Sequence, residues 1–485
     1  MSSTNFKTLM ELNKLSAFEL LNGLFKKEFS PKEILDDCVK RIEKIDPSLN
    51  AFPIKCIDKA YDQVNNLPSI EEIDLKEFPL FGIPVGVKDL NDIKDVRTTQ
   101  GSHLYKNFIP DEDDNIVSSM RSNGAIFPGK TNVPEHGFGA TTTNDLFGTT
   151  NNPYDVSKSC GASSGGTAVS IASYMVPLAM GSDFAGSLRT PASFCNIVGM
   201  RPSVGFVPTS RRGMGWSPFD VEGPMARNIT DLKILLSGMI QDCNLDPIPT
   251  SNKDKSILFT PPKLVDTNKL KVAISYDLGF APMSKICKSV FDEKINQISS
   301  LFESVEFGHP DMREADKTFY LLRGIGFVND FSAINNENPG SLGNVIVDEL
   351  KRASSISIKD IGWAMAEHTK IYRNAERFLD DFDLLITPAA SVPPFFHEEE
   401  YPKEIDGEKM ENYLKWEAIA YGVTLFGGPS IVIPCGSIGD NLPFGIQIIS
   451  KKNSDLNLID IAYSLEHKFQ EINDFTIHPK TSEFL

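Results

Sequence analysis

The sequence predicts an α/β protein whose large, mixed and mostly parallel β-sheet is covered by helices on both faces. Segments with helical periodicity are repeatedly followed by short apolar, β-branched segments, an alternation typical of helices packed on a parallel sheet. The composition is that of an ordinary globular protein, with 41% hydrophobic and 23% charged residues. No repeat of fixed period and no low-complexity tract interrupts the 485 residues.

The first elements of the chain are helical. The motif SPKE at 30–33 has the form of a capping box with proline at the first helical position, which predicts a helix from about Pro31 to Ile45. A shorter helix is expected before it, in FELLNGLFKKEF. The apolar segment from Ile83 to Val87 then predicts a buried strand, with Lys88 at its carboxyl end.

Helix followed by strand recurs along the rest of the chain. The pairs are IVSSMRSNG with AIFPGKTN, SGGTAVSIASYM with VPLAMGSD, and IYRNAERFLDDF with DLLITP. Two more strands, SIVIPCG and PFGIQIIS, precede a closing amphipathic helix, DLNLIDIAYSLEHKF. We assign residues 1–70 to an N-terminal helical segment and residues 71–485 to one large α/β domain. The Pro-rich, polar region 247–269 predicts a surface connection or a subdomain seam, after which LKVAISYD resumes the sheet.

The charge balance is acidic. Lys and Arg total 48 against 65 Asp and Glu, which gives a net charge of −17 and a sequence pI near 5.0. Such a field repels phosphate groups, so we expect neither nucleic acid nor a membrane as a partner. The N-terminus lacks the features of a secretory signal and the seven cysteines form no CxxC pair, so we expect a reducing, cytoplasmic location. The uncharged stretch 162–182 contains a proline and predicts a buried helix and strand rather than a membrane span.

The densest group of chemically useful residues lies between Ser159 and Pro202. It holds two serine-bearing, glycine-rich turns, where backbone N–H groups could converge on an oxyanion. The segment 161–165 matches G-x-S-x-G, the nucleophile elbow of α/β-hydrolases, which would make Ser163 the nucleophile. The preceding segment NNPYDVSKSC is polar, whereas an elbow follows an apolar strand. Tight turns that pack a helix against a sheet are the purely structural alternative.

Several motifs in order resemble the amidase signature family of serine amidases. The family's GGSSGG and GTDTGGSIR-like elements correspond here to GASSGG and GSDFAGSLRT. GIPVGVKD and GKTNVPEHGFG match upstream, and DLLITPAASVPP, GGPSIVIPCG and LPFGIQIIS match downstream. The resemblance runs from about Leu80 to Phe469 in the family's order. It implies the amidase signature fold, hydrolysis of amide bonds, and no metal or organic cofactor.

Carried over residue by residue, the resemblance implies a catalytic set. The family's nucleophile falls on Ser187, its cis-peptide bridging serine on Ser163, and its lysine on Lys88, and the family's interval of 24 residues between the serines is kept. The implied oxyanion donors are the backbone N–H groups of Phe184, Ala185, Gly186 and Ser187. The implied supporting residues are Ser164, Asp183 and Arg189.

The three side chains fit this chemistry. An alcohol is a poor nucleophile until a base removes its proton, and Ser-Lys is an attested alternative to Ser-His-Asp. A solvated lysine, with a pKa of about 10.4, stays protonated, but burial at the end of an apolar strand lowers that pKa. Lys88 follows such a strand, and Ser163 could pass a proton between Ser187 and Lys88.

Other reactive groups rank below these. Lys130 is a rival base that the resemblance assigns to a structural turn, and taken alone Lys88 would be regarded as a surface lysine. Cys160 and Cys195 flank the block with no nearby histidine to activate a thiolate. His397 is the histidine that a Ser-His-Asp scheme could use. No group of histidines has metal-ligand spacing, so no metal site is expected.

We therefore predict a cytoplasmic serine amidase that acts on a small-molecule amide through an acyl-enzyme on Ser187, releasing a carboxylic acid and ammonia or an amine. Three alternatives stay open. They are a non-catalytic binding protein on a retained fold, an α/β-hydrolase-type esterase that uses Ser163, and a glutamyl-tRNA amidotransferase A-type subunit. Against the last of these stand the acidic balance and the partial match of VGFVPTSRRGMG to its SRYG-type segment. A homodimer fits what the resemblance implies.

Departures from the family pattern and the pocket walls complete the expectations. Ala162 replaces the second glycine of GGSSGG, and a methyl group at position 185 narrows the approach to the oxyanion hole. Topology alone suggests residues 137–139 and a loop at 314–340 as walls of the substrate pocket.

Overall fold

The computed structural model describes residues 11–74, 77–250, 260–472, 475 and 477. In that part of the chain, eleven strands form one sheet. They are β1 (Ile54–Lys55), β2 (Val85–Lys88), β3 (Gly129–Thr131), β4 (Leu178–Asp183), β5 (Val198–Arg201), β6 (Val221–Ala226), β7 (Lys271–Ile274), β8 (Ser304–Phe307), β9 (Leu384–Pro388), β10 (Ser430–Ile438) and β11 (Leu442–Ile449). Three two-stranded ribbons are also described: Thr143–Asn144 with Gly148–Thr149, Asn151–Asn152 with Asp155–Ser159, and Glu404–Ile405 with Glu408–Lys409.

Thirteen α-helices lie in the described part of the chain. They are α1 (Ala17–Phe25), α2 (Pro31–Leu49), α3 (Ile57–Asn65), α4 (Asn115–Ser122), α5 (Gly165–Ala172), α6 (Arg189–Phe194), α7 (Ile229–Met239), α8 (Lys285–Ile298), α9 (Ala315–Glu337), α10 (Asn344–Ala353), α11 (Ile358–Asp381), α12 (Ala418–Thr424) and α13 (Asp455–Gln470). None of them combines the length and apolar character that crossing a membrane requires. The α/β class and the large mixed sheet predicted from the sequence are confirmed.

The predicted capping box opens α2. The Ser30 side chain accepts from the backbone of Glu33, and the Glu33 side chain accepts from the backbone of Ser30. The helix runs to Leu49, four residues beyond the predicted end. The helical segment expected at 1–70 begins outside the described residues, which start at 11, and the expected seam at 247–269 includes residues 251–259, which also lie outside them.

The sheet is mixed but not mostly parallel, which corrects the prediction. Its order is β1-β3-β2-β4-β6-β5-β10-β11-β9-β7-β8. Only the pairs β3-β2, β2-β4, β9-β7 and β7-β8 are parallel, and the other six are antiparallel. The reason is that β6 inserts antiparallel between β4 and β5, and β10 and β11 form a hairpin, so helix-linked parallel units occur only toward the two ends.

Side chains alternate between the two faces along each strand, and both faces of this sheet carry apolar side chains, so helices cover both. In β4, Leu178 and Met180 join the larger apolar core, which contains residues of α7 and α13. Ala179 points to the opposite face, into a second core that contains residues of α2, α5 and α6. The sheet is therefore buried on both sides.

One edge of the sheet brings together the ends of three neighbouring strands. β2 and β4 are parallel, so Lys88 and Asp183 lie at carboxyl ends on the same edge. β6 runs the other way and begins at that edge, where Glu222 is paired with Ser182. Such an edge is where open α/β sheets usually bind ligands.

Candidate active site

Lys88 is completely buried at the end of β2. Its Nζ atom lies 2.8 Å from Oγ of Ser163 and 2.9 Å from Oγ of Ser182, and 3.4 Å from the carbonyl oxygen of Ser182. Burial lowers the pKa of the Lys88 amine to about 7, against the opposing effect of the Glu222 and Asp220 carboxylates. Burial therefore favours the unprotonated amine, which is the form that a base requires.

Ser163 lies in the turn that precedes α5, and the peptide bond joining it to Ala162 is cis. The turn packs closely against the start of α6. Gly161 has a φ of +79°, and a Cβ atom there would lie 2.8 Å from Cα of Pro191. Glycine at 161 therefore lets the Ser163 turn approach the backbone of the Ser187 turn.

Ser187 lies in the turn between β4 and α6, and its side chain is half-buried. Ser187 and Ser163 line the same cavity, of about 320 Å³. The carbonyl oxygen of Ser187 accepts from the backbone N–H of Ser164, 3.3 Å away, which ties the two turns together. The Ser187 hydroxyl has no hydrogen bond to any described residue, so it is free to meet a ligand in the cavity.

The backbone N–H groups of the second turn are not equivalent. The N–H of Gly186 donates to Oδ1 of Asp183, 3.0 Å away, so it is already engaged and the expectation that it is an oxyanion donor needs correction. No acceptor among the described residues takes the N–H groups of Phe184, Ala185 or Ser187. Three of the four expected donors therefore have no acceptor in the described part of the chain.

Asp183, the last residue of β4, holds the turn that carries Ser187 in place. Its carboxylate is fully buried and accepts from Arg189 and Arg201 at 3.0 and 3.1 Å, and from the backbone N–H of Leu188. Burial opposes ionisation, but the two guanidinium groups and the backbone donors hold the pKa of Asp183 well below its usual range. Burial lowers the pKa of Arg201 to about 10, against the pull of Asp183. The turn is thus held by hydrogen bonds to a buried, charged cluster of Asp183, Arg189 and Arg201.

Ser164, expected as a supporting residue, is also fully buried. Its hydroxyl donates to the carbonyl oxygen of Ser182, 3.2 Å away. Because the same carbonyl faces Lys88, Ser164 helps to fix the end of β4 that the amine contacts.

Sequence reasoning missed five residues, four near the amine and one beside Asp183. Ser182 gives Lys88 its second hydroxyl partner, and Glu222 is buried on the adjoining strand, where Asn91 and Arg211 donate to it. Arg201 completes the cluster around Asp183. A usable signal existed for Glu222, since an acid at the start of the apolar segment VEGPMA is unusual for a buried strand.

The rival groups lie in other environments. Lys130 is buried but ion-paired with Asp89 at 2.9 Å and donates to Thr98 at 2.5 Å, as expected of a structural lysine. Burial raises the pKa values of the Cys160 and Cys195 thiols, which disfavours their thiolates. His397 lines a separate surface groove. In the part of the chain that the structure describes, no cluster of metal-ligating side chains occurs.

The cavity has an apolar wall and a charged wall. Phe138 and Phe184 contribute to the first, and Arg211 and Asp220 to the second. The stretch 314–340, expected as a loop, is mostly the helix α9, and six of its residues between Leu322 and Ile334 line the cavity. The expected wall at 137–139 is formed by Gly137 and Phe138.

Comparison with known proteins agrees with this architecture. The profile of the family described as Amidase matches residues 33–459. An acylamidase from Rhodococcus erythropolis is 27% identical over 462 residues, which cover 95% of this chain and 96% of that protein. The A subunit of the glutamyl-tRNA(Gln) amidotransferase from a Sulfurihydrogenibium species is 29% identical over 498 residues, which cover 96% and 99%. The crystal structure of a bacterial aryl acylamidase of the amidase signature enzymes has a TM-score of 0.83 at 24% identity, covering 94% of this chain and 98% of that one.

The fold first defines the class, an α/β protein with the amidase signature fold. Because the family profile spans most of the sequence, the chain belongs to the amidase family. The predicted enzyme class, a hydrolase of carbon–nitrogen bonds other than peptide bonds, is confirmed at that level.

Proposed function

We propose that the protein hydrolyses the amide bond of a small molecule through an acyl-enzyme on Ser187, with Ser163 and Lys88 as the proton path. One observation carries the proposal: a buried amine with a lowered pKa lies 2.8 Å from the Ser163 hydroxyl, in the cavity that Ser187 also lines. A Ser-Lys pair needs such an amine, since a protonated lysine has no lone pair with which to accept a proton.

Acylation begins with two proton transfers. Ser163 gives its hydroxyl proton to the lone pair of Lys88 and takes the proton of Ser187, whose oxygen bonds to the amide carbon. The carbonyl oxygen becomes negative and accepts from the N–H groups of Phe184, Ala185 and Ser187, since Gly186 donates to Asp183. Loss of one such donor typically costs about 3 to 4 kcal/mol of transition-state stabilisation.

Collapse of the tetrahedral intermediate breaks the carbon–nitrogen bond. The Lys88 ammonium returns its proton through Ser163 to the leaving nitrogen, which departs as ammonia or an amine. Water then enters, loses a proton by the same route, and attacks the acyl ester. Ser187 regains its proton, and the carboxylic acid leaves.

The cavity supports a small substrate with an apolar group. Its volume of about 320 Å³ is at the lower end for small-molecule sites, too small for a folded partner. Phe138, Phe184 and Phe331 line it, and aromatic walls favour an alkyl or aryl substituent. The names of two relatives, an acylamidase and an aryl acylamidase, are compatible with that substituent.

A second candidate is supported by the similarity to the A chains of amidotransferases along nearly the whole sequence. On that alternative the same serine and lysine would release ammonia from glutamine for a partner enzyme. It differs experimentally, because glutamine hydrolysis would then depend on co-purifying partner chains.

The decisive experiment combines covalent labelling with hydrolysis. A fluorophosphonate probe is expected to label wild type and not Ser187→Ala, with the adduct mapped to Ser187 by mass spectrometry. The variant Ser237→Ala, which removes a buried hydroxyl in α7 outside the cavity, is the matched control. A panel of aliphatic, aryl, cyclic and peptide amides, with glutamine included, then defines the substrate. Labelling that survives in Ser187→Ala but is lost in Ser163→Ala would instead support the esterase alternative.

Assembly and location complete the proposal. We propose a cytoplasmic protein that needs no nucleic acid, membrane, metal or organic cofactor and forms a homodimer. Light scattering of the purified protein measures the oligomeric state. Full activity after dialysis against a chelator supports metal independence.

A further inference from the structure

Three adjacent strands carry a row of polar groups where β2 and β4 end and β6 begins, beside the candidate active site. Lys88 comes from β2, Ser182 from β4 and Glu222 from β6, and β4 lies between the other two. Glu222 is paired directly with Ser182 across the antiparallel ladder, so their side chains lie on the same face. Ser182 Oγ in turn contacts the amine of Lys88. Glu222 is thus the carboxyl group on the far side of Ser182 from that amine.

Glu222 is 1% exposed and incompletely hydrogen-bonded. Its Oε1 atom accepts from Asn91 at 3.1 Å and from Arg211 at 3.4 Å. Its Oε2 atom is buried without a partner among the described residues, and so is Oδ1 of Asn91. A buried carboxylate oxygen without a donor disfavours the ionised form, so this group can take up a proton near neutral pH. Burial raises the pKa of Glu222 to about 7, against the effect of Arg211.

Lys88 has no ion-pair partner among the described residues, and its contacts are hydroxyls and a carbonyl. The ionisable groups that act on it from neighbouring elements are Glu222, Asp220, Arg211 and Asp183. Asp183 is neutralised by Arg189 and Arg201, and Lys130 of the neighbouring strand by Asp89. Asp220 is partly solvated and lies 3.8 Å from Arg211. Glu222 forms an ion pair with Arg211 at 3.4 Å but keeps Oε2 without a partner, and of the buried carboxylates it acts most strongly on the amine.

We propose that Glu222 is a positioning residue of this site: its carboxyl group, held by Asn91 and Arg211 behind Ser182, sets the proton affinity of Lys88 and stabilises the ammonium formed when Ser187 attacks. This inference rests on the proposed function. The negative charge acts through the low-polarity interior, where Coulomb interactions are stronger than in water. When Lys88 accepts the proton relayed by Ser163, the ionised Glu222 lowers the free energy of the resulting ammonium.

The proposal predicts two linked effects of removing the charge. In Glu222→Gln, Lys88 becomes a weaker base, so the acidic limb of the labelling-rate profile moves to lower pH by about 1 unit. The plateau rate at high pH falls roughly threefold, because a weaker base accepts the proton less readily in the transition state. A residue needed only for folding would lower activity equally at every pH.

The experiment measures both the chemistry and the proton affinity. Rates of fluorophosphonate labelling are recorded against pH for the wild type, Glu222→Gln, Glu222→Met and Glu222→Asp. The pKa of Lys88 is followed independently by NMR of ¹³C-lysine-labelled protein, its signal assigned by its absence in Lys88→Met. Glu306→Gln, which removes the same charge from an exposed strand at the far edge of the sheet, is the matched control. Glu222→Met provides a second uncharged variant if the glutamine variant does not fold.

Support requires that the uncharged variants move both the labelling limb and the Lys88 NMR titration to lower pH, while Glu222→Asp and Glu306→Gln stay near wild type. An unchanged NMR titration overturns the proposal, whatever the rates. A shifted titration in protein that never labels at Ser187 rejects the proposed function and leaves only the effect of Glu222 on the proton affinity of Lys88. Normal labelling at Ser187 without any shift of the Lys88 titration supports the proposed function and rejects the Glu222 proposal.

Discussion

The amine of Lys88 and the hydroxyl of Ser163 are 2.8 Å apart in a buried, polar pocket bounded by Ser182. The amine has two hydroxyl neighbours and no contacting carboxylate in the described part of the chain, so no ion pair holds it in the protonated form. This relationship turns a residue type that is normally a surface cation into a candidate base.

The first prediction concerns pH. Burial gives Lys88 a pKa of about 7, and only the neutral amine can accept a proton. We therefore expect kcat/KM for an uncharged amide to fall about tenfold per pH unit below that pKa and to level off above it. A profile measured in overlapping buffers with wild-type protein tests this. Full activity well below the pKa would contradict a neutral Lys88 as the base.

Replacing the amine itself is the second prediction. Lys88→Met should lower kcat/KM by about 10²- to 10⁴-fold, the usual loss when a general base is removed. The fold should survive, since exchange of a buried amine for an apolar chain of similar length removes a desolvation cost. Amide hydrolysis and thermal unfolding are measured on the same preparation.

The matched control for this variant is the other buried lysine of the region. Lys130→Met leaves Asp89 as an unpaired buried carboxylate, so the free energy of unfolding should drop by about 3 to 5 kcal/mol. The protein that remains folded should still be labelled at Ser187. Equal losses of labelling in both variants would show that the lysines act alike, against the assigned roles.

A third prediction concerns Asp183. In Asp183→Asn the two guanidinium groups of Arg189 and Arg201 lose their buried counter-ion, which costs about 3 to 5 kcal/mol of stability. The carboxamide also has a single acceptor oxygen where the carboxylate holds both Gly186 and Leu188. We expect slower labelling at Ser187 and a lower unfolding midpoint in urea. A variant that labels at the wild-type rate would exclude Asp183 from shaping the turn.

The fourth prediction uses two glycines with nearly equal backbone angles. Gly161 and Gly148 have φ values of +79° and +80°, so alanine at either position pays a similar conformational cost of about 1 to 2 kcal/mol. A Cβ atom at 161 would also meet Pro191, whereas no atom lies within 4 Å of one at 148. Gly161→Ala should therefore lose more stability than Gly148→Ala and should also lose labelling at Ser187. Gly148→Ala should lose only the stability that corresponds to its conformational cost and should keep its labelling. Urea unfolding with labelling of both variants compares them directly.

The fifth prediction concerns the thiols. Cys38, Cys160, Cys195, Cys287 and Cys435 are buried, and burial raises the pKa of each thiol. Burial also raises the pKa of the half-buried Cys56 thiol to about 11, and its Sγ atom donates to the carbonyl oxygen of Phe127. Native protein should therefore react fastest with a thiol-specific disulfide reagent at the half-buried Cys243, and all seven cysteines should react after denaturation. Rapid inactivation through Cys160 would contradict the inert role assigned to it.

Local patterns predicted most of the elements but not the arrangement of the sheet. The capping box at Ser30 and the apolar strand before Lys88 were correctly identified, because both signals act between residues close in sequence. The antiparallel insertion of β6 and the helix α9 were missed. Strand order was missed because it depends on which faces pack together between segments far apart in sequence. The helix α9 was missed because it presents apolar residues to the cavity on one side and to α10 on another, so the hydrophobic periodicity of its sequence is weak.

The sequence by itself determined the α/β class, the two serine-bearing turns and the identity of Lys88, Ser163 and Ser187 as candidates. Only the tertiary structure decided that the Gly186 N–H already donates to Asp183, that Ser182 contacts the amine with Glu222 beside it on the next strand, and that Lys130 is ion-paired where Lys88 is not. The physical reason is that a motif specifies residue types along the chain. The pKa of a lysine depends instead on burial and on charges contributed by residues distant in sequence.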